Sequence, residues 1–151
     1  MAYVSLDSDQ IKKAHKKHKY TKEQVEQLEQ CMDPKSGPLF FMKQFMKIQH
    51  PVKGSMPFHP FPYQERLINS YNDHRFSIAM LPRQTGKTTC ASGYLIWYAM
   101  FRPDSQILIA AHKYAGASDI MSRVRYAYEM LPSWIKAGVT QYNRNSIEFD
   151  N

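Results

Sequence analysis

Apolar positions at Phe41, Phe45 and Ile48 recur at helical spacing, and Leu39 to Ile48 is predicted to be an amphipathic helix. Before it, Thr21-Lys22-Glu23-Gln24 has the form of a capping box. Thr21 can cap the Gln24 amide while Gln24 returns the bond, so a helix is expected from there to Met32, with Val25 and Leu28 as a thin apolar stripe. Asp33-Pro34-Lys35-Ser36-Gly37-Pro38 ends it. From His50 to Pro62 the prolines 51, 57, 60 and 62 and Gly54 predict an extended linker, because each proline biases its predecessor away from the helix. A domain boundary is placed there. Residues 1–49 form a helical N-terminal segment with a basic arm, 50–62 the proline-rich linker and 63–151 a partial P-loop-type domain.

Past the linker the period changes. Tyr63 to Tyr71 reads as a short helix with Leu67 and Ile68 inward, Arg75 to Leu81 as a strand, and Thr85 to Phe101 as a loop and helix. Gln106 to Ala111 is a nearly continuous apolar run, the pattern of a strand buried on both faces of a parallel sheet. A long helix follows from about Gly116 to Leu131. Val139 to Tyr142 and Ile147 to Phe149 flank Asn143-Arg144-Asn145-Ser146 and read as a hairpin. No internal repeat is visible. The expected class is α/β, with an incomplete parallel sheet of P-loop NTPase type preceded by a small helical segment.

Composition narrows the partners. The chain has 151 residues, enough for one domain with a core, and an apolar content suited to a folded protein. Its longest apolar stretch, Cys90 to Phe101, is too short to span a bilayer, and the polar, acidic start from Met1 to Gln10 lacks the features of a signal peptide. A cytoplasmic protein is expected. Cys31 and Cys90 lack metal-site spacing and are read as reduced thiols, with Cys90 packed near the loop before its helix. The formal net charge of +7 suits an anionic partner. Lys12, Lys13, Lys16, Lys17, Lys19 and Lys22 crowd one stretch with His15 and His18. Such a cluster can bind nucleic-acid phosphates by counterion release, but without base-reading residues or an aromatic platform the favoured reading is a solvated arm.

The chemistry concentrates in Leu81-Pro82-Arg83-Gln84-Thr85-Gly86-Lys87-Thr88-Thr89, set between the predicted strand and helix. Strand, tight loop ending Gly-Lys-Thr, then helix is the layout of a phosphate-binding P-loop, G-x-x-x-x-G-K-[ST], although Leu81 stands where the first Gly belongs. Gly86 lets the main chain approach phosphate, Lys87 supplies a point charge for the β- and γ-phosphates, and Thr88 supplies a hydroxyl for Mg²⁺. The helix N-terminus adds its dipole. Thr89 can place a second hydroxyl near the α-phosphate. Pro82 removes flexibility and a donor, which Arg83 and Gln84 side chains can offset. Arg83 can also neutralise charge developing on the γ-phosphate, and its bland alternative is a surface salt bridge. Upstream, Tyr63 can cover a base, and the Gln64 amide can pair with adenine N6 and N7. His112 and Lys113 end the second predicted strand, where the ligand crevice of a parallel sheet opens.

With these residues in hand, the chain resembles the N-terminal ATPase region of the tailed-bacteriophage, myovirus-type large terminase, the DNA-packaging motor subunit. The resemblance is carried by Phe45 to Gly54, Tyr63-Gln64, Pro82 to Thr89, Ile107 to Lys113 and the tail from Leu131 to Asn151, and covers most of residues 40–151. The variant loop Arg-Gln-x-Gly-Lys-Thr-Thr marks this family and accounts for the absent first Gly. A helicase-like ATPase, which also pairs an upstream Gln with a P-loop, usually keeps a Gly where Gln84 stands here.

The resemblance implies ATP and Mg²⁺ as cofactors, with Tyr63, Gln64, Arg83, Gln84, Thr85, Gly86, Lys87, Thr88 and Thr89 around them. Gln64 takes the adenine-recognition role, Arg83 and Lys87 the catalytic roles in cis, and Thr88 the metal. It implies viral double-stranded DNA, the portal, the small terminase subunit and the remaining C-terminal part of the large subunit as partners. The implied location is the host cytoplasm and, transiently, the procapsid portal. The family's second motif, an apolar strand ending Asp-Glu that positions Mg²⁺ and activates water, has no counterpart here. The expectation is therefore an ATP-binding part of the motor that is inactive alone. The alternative is a non-catalytic module that binds DNA or a packaging partner.

Overall fold

The computed structural model describes residues 10–50 and 52–151; the reading of the chain's first nine residues lies outside them. Helix α1, Lys22–Met32, starts at the expected capping box: Thr21 Oγ1 accepts from the Gln24 N–H at 3.3 Å and Gln24 Oε1 from the Thr21 N–H at 3.1 Å. The next turn is held by Asp33, whose Oδ1 accepts from the N–H groups of Ser36 (2.6 Å) and Lys35 (3.0 Å) and from Ser36 Oγ (2.8 Å). These bonds, led by that from the Ser36 N–H, hold the carboxyl below its ordinary pKa.

Helix α2, Gly37–Phe45, stops earlier than the apolar spacing suggests. Ile48 lies instead in strand β1, Lys47–His50, which pairs antiparallel with β2, Gly54–Pro57. His50 Nδ1 accepts from the N–H groups of Val52 and Lys53 at 3.2 and 3.1 Å, and Gly54 takes φ +69°, so the chain turns back. Part of the segment read as an extended linker is therefore paired. Helix α3 spans Pro62–Asp73, α4 Lys87–Phe101 and α5 Tyr114–Glu129.

Helix α4 is apolar nearly all round and lies at the centre of the packing. Its Ile96, Trp97 and Met100 meet Phe41, Met42 and Phe45 of α2, Ile68 of α3, and Val124, Ala127 and Tyr128 of α5 in one buried cluster. Trp97 Nε1 donates to the Cys31 carbonyl at 2.8 Å, tying α4 to the end of α1. Gly93 lets α2 approach: a Cβ there would lie 2.5 Å from Met42 Cε and Met46 Sδ. Both thiols are reduced and buried, and burial raises Cys31 to about 12 and Cys90 to about 11.

The α/β class holds, but both sheets are small and antiparallel. The hairpin of β3, Val139–Tyr142, and β4, Ile147–Phe149, forms as expected, with Asn143 Oδ1 accepting from the Asn145 and Ser146 N–H groups. The two runs read as strands of a parallel sheet, Arg75 to Leu81 and Gln106 to Ala111, join no ladder among the described residues. Phe76, Ile78, Met80 and Leu108 are 83, 94, 91 and 91% exposed. A strand is stabilised by its neighbours, and neither run has a ladder partner among the described residues.

The basic arm is solvated only in part. Residues 15–20 are exposed, but Ile11 is buried and Lys13 bridges Val139 in parallel. The Val139 N–H donates to the Lys12 carbonyl at 2.9 Å. Lys136, 3% exposed, donates from Nζ to the carbonyls of Gln10 (2.6 Å) and Glu129 (2.8 Å). No described helix is long and apolar enough to cross a membrane.

Candidate phosphate-binding loop

The loop from Leu81 to Gly86 reaches α4 through two left-handed residues, Gln84 at φ +63° and Gly86 at φ +75°. Gly86 is the N-cap of α4, and no side chain caps that helix. Its first-turn N–H groups are the natural receptor for an anion. A side chain at 86 is excluded twice, by the positive φ and because a Cβ would stand 2.6 Å from Gln64 Nε2.

The start of α3 clamps the loop from outside. Tyr63 Oη and Gln64 Nε2 both donate to the Thr85 carbonyl, at 2.9 and 3.0 Å. Gln64 is buried, and its Oε1 accepts from the Phe61 N–H at 2.9 Å. The Tyr63 ring stacks on Phe61 with centroids 5.9 Å apart. Inside the loop Thr85 Oγ1 donates to the Pro82 carbonyl at 3.0 Å. Lys87 folds back over its own loop, with Nζ 3.1 Å from the Pro82 carbonyl and 3.5 Å from that of Leu81.

The structure thus brings together Tyr63, Gln64, Thr85, Gly86 and Lys87. Arg83 and Gln84 stand exposed on the loop, and Thr88 and Thr89 are half-buried in the first turn of α4. His112 and Lys113 are exposed ahead of α5 and share no hydrogen bond with the loop among the described residues. Tyr63 and Gln64, expected to face a ligand, also engage the loop itself through their bonds to Thr85. Ser92, one turn beyond Thr88 on α4, is marked by no motif.

Residues 78–151, the loop included, match the family described as Terminase large subunit, T4likevirus-type, N-terminal. The matched span begins inside the run that leads into the loop and contains α4, α5 and the β3–β4 hairpin. Over that span, about half of its length, the chain is similar to the N-terminal region of the T4-like-virus-type large terminase family, which supports a role in viral DNA packaging.

Proposed function

We propose that the loop from Leu81 to Thr89 binds ATP with Mg²⁺, and that the chain is the nucleotide-binding part of the terminase packaging ATPase. The observation that carries this reading is the join of loop and α4. Gly86 in the left-handed region, an uncapped helix N-terminus and a lysine held over the loop together make an anion receptor. Its donor set suits a triphosphate. Lys87 exchanges the Pro82 and Leu81 carbonyls for phosphate oxygens, Thr88 offers its hydroxyl to the metal, and exposed Arg83 is free to swing onto the γ-phosphate. Gln84, Thr85 and Thr89 line the phosphate path. Bound Mg²⁺ supplies neutralisation of charge on the phosphates. Each half of the Gln64 amide has spent one of its two bonding capacities, which leaves one N–H and one lone pair for the adenine edge.

The exposed runs Arg75–Leu81 and Gln106–Ala111 support a sheet completed by further strands, among them one carrying the Asp-Glu pair that activates water. The chain alone is then a binder, and turnover needs a polypeptide that supplies that strand. Viral DNA, the portal and the small terminase subunit are the partners this reading carries, at the procapsid portal in the host cytoplasm. Lys87→Ala is expected to weaken ATP binding by roughly tenfold or more, about 1.4 kcal/mol, with an unchanged Tm, as read by titration calorimetry. Equal affinity in the variant would sink the reading.

A second reading, a non-catalytic module that docks on DNA or a packaging partner, is favoured by the exposed lysines of residues 16–19. It predicts partner binding that survives Lys87→Ala and is lost with the arm.

A further inference from the structure

On the face of α4 turned to α5 and the β1–β2 hairpin lies a cavity of about 560 Å³. Thr89 is the one residue of its lining that also belongs to the candidate loop from Leu81 to Thr89. Its size lies within the range of small-molecule sites, roughly 300–1,000 Å³. Ser92 lines it, 1% exposed, and Ser92 Oγ is the one buried side-chain polar atom among the described residues without a hydrogen-bond partner.

That orphan hydroxyl needs a reason. Close packing at this turn of α4 is achieved by small residues, and alanine would serve as well while burying no polar atom. A helical serine can also return its bond to the carbonyl four residues back. Ser122 on the facing helix does so, donating to the Ser118 carbonyl at 3.0 Å, and Ser92 does not. Its hydroxyl is thus left buried and without a partner in the cavity wall.

The surrounding groups define what it can meet. Lys47 and Arg123 carry positive charge at the cavity, and Ser122 and Tyr126 add hydroxyls. His50 accepts at Nδ1 from two backbone N–H groups, which leaves Nε2 to carry the proton and donate. Asp119 is the one acid in the lining, and it is paired with Arg123 at 3.2 Å. Both partners of that pair are more than half exposed, so it is weak and can give way to a competing anion. Hydroxyls within, cationic donors around them and a single displaceable carboxylate favour a compact anion rich in acceptor oxygens.

We propose that this cavity is a second anion site, taking a small phosphate-bearing molecule with its oxygens on Ser92 and the Arg123 guanidinium. The site stands apart from nucleotide binding at the loop, so the test is made with the loop disabled. Inorganic phosphate is titrated at constant ionic strength, in exchange for chloride, into the ¹⁵N-labelled Lys87→Ala protein. Saturable amide shifts are expected at Ser92, Arg123 and Lys47, with affinity reduced roughly tenfold by Arg123→Gln and by Ser92→Ala and with no fall in Tm in either. Ser92→Ala removes one oxygen and Arg123→Gln changes an exposed side chain, so neither threatens the fold. Shifts absent, confined to residues 81–88, or equal in all three proteins would overturn the site. Failure of the loop to bind ATP would leave this result unaffected, so the two proposals fail separately.

Discussion

At the scale of single residues, Gly86 is the position on which the loop depends. Its φ of +75° costs an L-residue about 1–2 kcal/mol, and the Cβ of any such residue would collide with Gln64 Nε2. Gly86→Ala therefore strains the backbone and pushes away the amide that holds the Thr85 carbonyl. We expect Tm to fall by about 2–4 °C for each kcal/mol lost, and ATP binding to fall well beyond what that loss of stability explains. Thermal melts with and without ATP check this. An unchanged ligand-induced Tm shift in the variant would show that the clamp is irrelevant to the nucleotide. The Gly-Lys-Thr-Thr motif and its left-handed glycine are legible in sequence because they are local. The bonds from Tyr63 and Gln64 to Thr85 are not, because they span more than twenty residues and depend on where α3 docks.

At the scale of elements, the helices and the local β3–β4 hairpin read well and the strands of a wider sheet do not, for a physical reason. The capping box at Thr21, the apolar length of α4 and the Asn-rich turn between β3 and β4 each act within a few residues. The runs Arg75–Leu81 and Gln106–Ala111 have strand composition, yet they join no ladder among the described residues, because composition alone forms no ladder. The β1–β2 hairpin was hidden by its prolines, which signalled a linker while the turn at His50 and Gly54 brought two short strands together. Helix α4 offers the clearest test of packing. Trp97→Phe removes the donor to the Cys31 carbonyl and leaves that oxygen buried, at a cost of about 1–3 kcal/mol. The urea midpoint should fall with an unchanged m-value. ATP affinity should hold, since Trp97 lies about 15 Å along the helix from Lys87. A loss of affinity without a loss of stability would mean that the helix transmits strain to the loop.

At the scale of the whole molecule, the start of the described chain and its last hairpin are strapped together. Lys12 and Lys13 lie against Val139, the first residue of β3. The Lys12 carbonyl takes the Val139 N–H, Lys12 Nζ donates to the Lys136 carbonyl at 2.8 Å, and the His15 N–H donates to Asp150 Oδ2 at 2.5 Å. Lys136 answers with its bond to Gln10, and burial lowers its pKa. A lysine so enclosed keeps its charge only while backbone carbonyls replace the water it has lost. The strap is thus held by backbone placement more than by the positive charge farther along the arm. Removing residues 1–15 should speed hydrogen exchange at the Val139 amide and lower the stability of the β3–β4 unit. The triple change Lys16→Ala, Lys17→Ala, Lys19→Ala should leave that exchange rate untouched, because those side chains face solvent. If the triple variant also releases Val139, the arm is held by its charge and the strap has no independent role. If only the deletion does, the arm has two separable parts, a strap anchored by buried Ile11 that closes the last hairpin and an exposed basic stretch left for an anionic partner.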